Sequence, residues 1–168
     1  MAFYFLINQN FLLAAVFFIV SSFFDLIDGS VARVMGMVTK KGAYLDTIVD
    51  RYVEVLIIAG LFFCSLPDFM LPVGFWLLAY LFGSTMTSYA KAAAKEKELV
   101  EKEIKGGLLE RAERLILLFI GVLLASLSTV YLTYIIVVLA ILSNVTALQR
   151  IWIAMNSSKP AENKAKRA

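Results

Sequence analysis

The stretch FLLAAVFFIVSSFFDLIDGSVARVMGMVTKKGAYLDTIVD, residues 11–50, decides how the rest of the chain is read. It begins with Phe11–Phe24, apolar but for two serines, and then places Asp25, Asp28, Asp46 and Asp50 at the ends of two successive apolar runs. Working outward, Thr47–Leu66, Phe69–Ala90, Leu115–Leu127 and Val130–Leu148 are further apolar runs. Each approaches the ~20 residues that cross ~30 Å of hydrocarbon, the shorter ones with help from semi-polar flanks. Backbone groups in lipid must be bonded within the segment, so the runs are read as helices. Pro67-Asp68 and Ser126–Thr129 are read as tight reversals between them.

Composition supports the same class. The 168 residues are 61% hydrophobic, with mean hydropathy +0.81, too little polar surface to cover a soluble globule. The chain is therefore expected to be an all-α, polytopic transmembrane helix bundle. The absence of histidine rules out His-based zinc sites, His general bases and Ser-His triads. The lone Cys64 has no internal partner and is read as a small buried hydrophobe.

Charge placement orients the bundle. Arg33, Lys40, Lys41 and Arg51 surround the first turn-around, and Lys91 to Lys105 with Arg111 and Arg114 surround the next loop on that side. Arg150 and the tail residues Lys159, Lys164, Lys166 and Arg167 complete the set, whereas the opposite loops carry no Lys or Arg. The positive-inside rule makes the charged side cytoplasmic. Residues 1–155 are expected to form the membrane domain and 156–168 a basic, disordered cytoplasmic tail. Met1–Ile7 is too short to span and lacks the marks of a signal peptide.

The aspartates carry the chemistry. Asp25 and Asp28 are three apart and Asp46 and Asp50 four apart, so each pair shares a helix face. A short connection predicts antiparallel packing that brings the pairs together. Intramembrane acids are costly and repel one another, and a hard divalent cation, Mg²⁺ or Mn²⁺, relieves both problems. Bridging carboxylates could hold two ions. Gly29 and Ala32 leave room for a ligand to approach the helix, and Arg33 can grip a phosphate bidentately. Pairing with Arg33 and Arg51, or a place at headgroup level, is the bland account of the acids. It suits one aspartate better than four.

In order, the residues are Asp25-x-x-Asp28-Gly29-x-x-Ala32-Arg33, eight residues, then Gly42-x-x-x-Asp46-x-x-x-Asp50. This resembles the signature of the CDP-alcohol phosphotransferase family at every defined position. The resemblance implies a six-helix fold, of which Met1–Ile7 would be only the end of the first helix, a cytoplasm-facing polar cavity and a homodimer in the plasma membrane. It implies that Asp25, Asp28, Asp46 and Asp50 ligate the metals, that Asp50 is also the proton acceptor, and that Gly29, Arg33 and Thr39 line the CDP-lipid site. The acceptor hydroxyl would attack the lipid-side phosphorus and CMP would leave.

Ser88–Lys91, Glu110–Ile116 and Gln149–Ile151 place further cations at cytoplasmic helix ends. Glu110 and Glu113 stand beside Arg111 and Arg114 and could orient or pair with them. These segments are similar to the phosphatidylinositol phosphate and archaetidylinositol phosphate synthases. The similarity implies that Lys91, Arg111, Arg114 and Arg150 cradle the phosphate of inositol phosphate, with CDP-diacylglycerol or CDP-archaeol as donor. Other acceptors (glycerol phosphate, serine, diacylglycerol), a cation transporter and an inactive scaffold are the competing readings. The one-sided placement of charge speaks against a transporter, and no nucleic-acid partner is expected.

Overall fold

The computed structural model describes residues 1–34, 39–100 and 107–157, and at positions 22, 24–26 and 28–34 the course of the helix alone. The described residues form α1 (Ala2–Ile7), α2 (Phe11–Val34), α3 (Lys40–Phe62), α4 (Val73–Glu96), α5 (Arg111–Ala125) and α6 (Thr129–Asn156), with no named strand among them.

The helices outrun the apolar segments, because a helix continues into water where its hydrogen bonds hold. Thr39 caps α3, its hydroxyl oxygen accepting from the Gly42 amide at 3.0 Å, so Lys40–Thr47 is helical although it is polar. At its other end α3 stops at Phe62, and residues 63–72 form a longer connection than the tight reversal expected at Pro67-Asp68. In it Asp68 accepts from the Val73 amide at 2.8 Å, and Trp76 donates its indole N–H to the Phe69 carbonyl at 2.9 Å. The Ser126–Ser128 reversal is short, as expected. Cys64 is buried and its thiol donates to the Leu6 carbonyl at 3.1 Å.

Among the described residues α6 is the one helix that by length and apolarity alone meets the standard of a membrane span, with 28 residues and a window hydropathy of 2.1. Val138, Ile141, Val145 and Leu148 lie exposed along one stripe of it, while Leu132, Ile136, Leu139 and Ser143 are buried along another. An apolar stripe facing outward beside a partly polar interior is the arrangement lipid demands. In α3, six charged residues interrupt the apolar pattern. With 15 residues, α5 is about 22 Å long and needs its flanks to cross.

The closely packed pairs are α4 with α6, α5 with α6, α1 with α2 and with α3, α2 with α5, and α3 with α4. The α4–α6 contact is the most intimate. A Cβ on Gly83 would stand 2.7 Å from the Asn144 backbone nitrogen, and the Asn144 amide donates across to the Ala79 carbonyl at 2.8 Å. Tyr80, Leu77, Leu118, Leu132, Ile136 and Leu139 fill the centre.

Candidate active site

Between α1, α2, α3 and α5 lies a cavity of about 860 Å³ that reaches from the charged ends of α3 and α5 to the first residues of α1. Its walls are largely apolar, from Phe17, Phe18, Val53, Leu56, Ile57 and Leu115, and its polar groups include Asp50 of α3, Arg111 of α5 and Ser21 of α2. The Arg111 guanidinium is ion-paired and hydrogen-bonded to the Asp50 carboxylate. The exposed Asp46 precedes Asp50 by one turn on the same face. Positions 25 and 28 follow Ser21 by one and two turns along α2. The side chains of Asp25, Asp28, Gly29, Ala32 and Arg33 lie outside the described residues. Gly42 fits the cap that begins α3, where a Cβ would press on the Thr39 hydroxyl oxygen at 3.1 Å.

The four expected acceptor cations come from three helices and take different places. Arg111 is half-buried at the cavity. Arg150, buried in α6, donates to the Thr87 carbonyl of α4 at 3.0 Å. The half-buried Lys91 follows Thr87 by one turn. Arg114 is drawn inward, only 1% exposed, with Nη1 donating to the Leu109 carbonyl at 3.3 Å and Nε 3.9 Å from Glu54 Oε1. The segment that starts α5 is moored on α6: Leu109 N–H donates to Thr146 Oγ1 at 3.1 Å and Leu108 N–H to Gln149 Oε1 at 3.2 Å. Gly107, at φ +132°, begins this mooring where a Cβ would meet Thr146 Cγ2 at 2.6 Å. Glu113 accepts from the Glu110 amide at 2.7 Å, so this acid secures the start of the helix.

Sequence reasoning missed Glu54. It is 4% exposed, pairs with Arg51 Nη1 at 2.7 Å, and accepts from the Ser84 hydroxyl and, at 3.4 Å, from the Tyr80 hydroxyl. A signal was present: Asp46, Asp50 and Glu54 are spaced by fours, so the acidic stripe runs one turn deeper than the signature. Ser84 and Tyr80 gave no such sign, since one hydroxyl in an apolar helix resembles any other.

A match to the family model of the CDP-alcohol phosphatidyltransferases extends over residues 1–166. The chain belongs to that family. It is 34% identical over 149 residues to an archaetidylinositol phosphate synthase of Pyrococcus horikoshii, covering 87% of this chain and 71% of that protein. It is 35% identical over 141 residues to a bifunctional IPC transferase and DIPP synthase of Aquifex aeolicus, covering 80% of this chain. The chain spans about a third of the length of that bifunctional relative, 31%. Among solved structures, the phosphatidylinositol phosphate synthase of Mycobacterium tuberculosis with CDP-DAG bound superposes with TM-score 0.80 at 28% identity, covering 93% of this chain and 79% of that one. The same enzyme is solved with manganese and citrate, at TM-score 0.81, covering 93% and 76%. The expected six-helix membrane bundle is thus the family's fold.

For this family member the donor chemistry suits a hard cation in part. Asp46 and Asp50 offer oxygen ligands on one helix face, and Asp50 already engages the cationic group of Arg111. Among the described residues no three metal-ligating side chains gather, and the side chains at positions 25 and 28 lie outside them.

Proposed function

We propose that this chain transfers a phosphatidyl-type group from a CDP-lipid, CDP-diacylglycerol or CDP-archaeol, to inositol phosphate and releases CMP. The observation that carries the reading is the facing of Asp50 and Arg111 at the polar part of an otherwise apolar cavity. A proton acceptor and an anion ligand thereby stand beside space suited to a lipid. The homologues named phosphatidylinositol phosphate synthase and archaetidylinositol phosphate synthase support the same acceptor.

In this reading the acceptor hydroxyl gives its proton to Asp50 while its oxygen bonds to the lipid-side phosphorus. The bond from that phosphorus to the bridging oxygen breaks, and CMP carries the electron pair away. Arg111, Lys91 and Arg150 hold the acceptor's phosphate, and Gly29, Arg33 and Thr39 line the CDP-lipid site. Arg114 serves from behind, as its burial favours. Asp25, Asp28, Asp46 and Asp50 would hold Mg²⁺ or Mn²⁺, two ions, which supply charge neutralisation for the diphosphate. We place the enzyme in the plasma membrane with its site toward the cytoplasm, as a homodimer, with residues 156–168 as a basic tail.

A panel assay tests this: CMP release from each CDP-lipid with inositol phosphate, glycerol phosphate, inositol and serine as acceptors. Inositol phosphate is expected to give the highest kcat/KM. Efficient turnover of free inositol or serine, and none of inositol phosphate, would overturn the acceptor.

A further inference from the structure

Two ion pairs connect α3 to α5, Asp50 with Arg111 and, deeper in the bundle, Glu54 with Arg114. The acids are four apart on α3 and the arginines three apart on α5. Both helices run from the charged side inward, so the pairs form two rungs of one ladder, about 5 Å apart along the helices. Yet α3 and α5 are not among the closely packed helix pairs. Between these two helices the direct contact is made by long side chains reaching across, not by ridges fitted into grooves.

The inner rung is anchored on a third helix. Glu54 also takes the Ser84 and Tyr80 hydroxyls of α4, four residues apart on one face, and Arg51 donates to Ser84 Oγ at 3.4 Å. An apolar pair of similar volume would fill this place with less desolvation, and the best-attested use of a buried ionic pair is to specify register.

We propose that Glu54, fastened to α4 through Ser84 and Tyr80, is a positioning residue: by facing Arg114 it sets the register of α5 on α3 and so keeps Arg111 opposite Asp50. Its effect on turnover rests on the reading of Arg111 as a ligand of the acceptor's phosphate. Arg114 is accordingly part of the support and does not touch the acceptor.

Glu54→Gln keeps the volume and an oxygen for Ser84 and Tyr80 but removes the charge facing Arg114 and the half-buried Arg51. The apparent KM for inositol phosphate is expected to rise roughly tenfold, the scale of one charge-assisted contact displaced, with the KM for CDP-lipid within about twofold. The double variant Glu54→Gln/Arg114→Gln removes the fully buried charge that Glu54→Gln leaves at Arg114 and keeps Arg51, which is partly open to solvent. It should recover thermal stability in detergent while leaving the acceptor KM raised. Glu54→Asp, which keeps the charge, should retain an acceptor KM nearer the parent's. Recovery of stability and acceptor KM together in the double variant would reduce Glu54 to a structural role and overturn the proposal.

A second measurement reads the register without the acceptor. Spin labels at the exposed Tyr52 of α3 and Ile116 of α5, with Cys64 replaced by alanine, should give a narrow distance distribution that broadens or shifts in Glu54→Gln. An unchanged distribution overturns the proposal. If the parent chain fails to use inositol phosphate, the acceptor reading falls, and the distance measurement still decides the role of Glu54.

Discussion

The α4–α6 half and the α2–α3 half of the molecule solve opposite problems. In the first, Gly83 lets two backbones meet, and Asn144 bridges them by donating to the Ala79 carbonyl. In the second, helices stand apart around about 860 Å³ of space, and Asp50 and Arg111 meet across it. Small residues make a dense scaffold because lipid offers no hydrophobic drive between helices, so packing must supply the contact energy. A cavity cannot be held that way alone. Its walls are held by the packing of α1 on α2 and α3 and of α2 on α5, together with charged side chains and the mooring of α5 on α6.

Changes in the open half should alter turnover, and changes in the dense half stability. The largest effect is expected for Asp50→Asn. CMP release should fall by roughly 10²–10⁴, the usual contribution of a general base, while the thermal midpoint in detergent stays close to the parent's. Near-parental turnover would remove Asp50 from proton transfer. Next comes Arg111→Ala: the KM for inositol phosphate should rise about ten- to hundredfold, and that for CDP-lipid little. A rise in both constants alike would mean that Arg111 shapes the cavity as a whole.

On the dense side, Gly83→Ala forces a Cβ to within 2.7 Å of the Asn144 backbone. Overpacking of this kind costs about 1–3 kcal/mol. Denaturation monitored by circular dichroism should show the loss, with kcat per folded molecule preserved. Parental stability would show that the α4–α6 approach can relax. The smallest effect is expected at the seam between the halves. Thr146→Val removes the acceptor for the Leu109 amide, for a loss of about 1 kcal/mol. Because the mooring carries Arg111, a modest rise in acceptor KM should accompany it, and a purely thermal effect would detach the seam from the site.

The apolar runs made the number and order of the long helices legible, because lipid imposes one length scale on every segment. Their ends were less so. Asp68 and Pro72 begin α4 later than its apolar run does, and Thr39 starts α3 earlier. Capping depends on a few local hydrogen bonds that hydropathy does not register. The cations at the helix ends of the charged side were visible as a group, but their separate tasks were not. Arg111 and Arg114 sit three residues apart in the same polar tract, yet one faces the cavity and the other is buried against Glu54.

The sequence by itself determined the class, an all-helical membrane bundle with its charge on one side, and the family, through the spaced Asp, Gly, Ala and Arg residues of 25–50. Those are properties of periodicity and residue type along one segment, and they survive without knowledge of neighbours. Only the tertiary structure decided that Arg111 meets Asp50, that Thr146 moors the start of α5, and that Glu54 gathers Ser84, Tyr80, Arg51 and Arg114. These contacts join residues up to 61 positions apart. A charge in a low-dielectric interior takes whichever partner the packing brings within reach, and that choice is made between helices rather than along them.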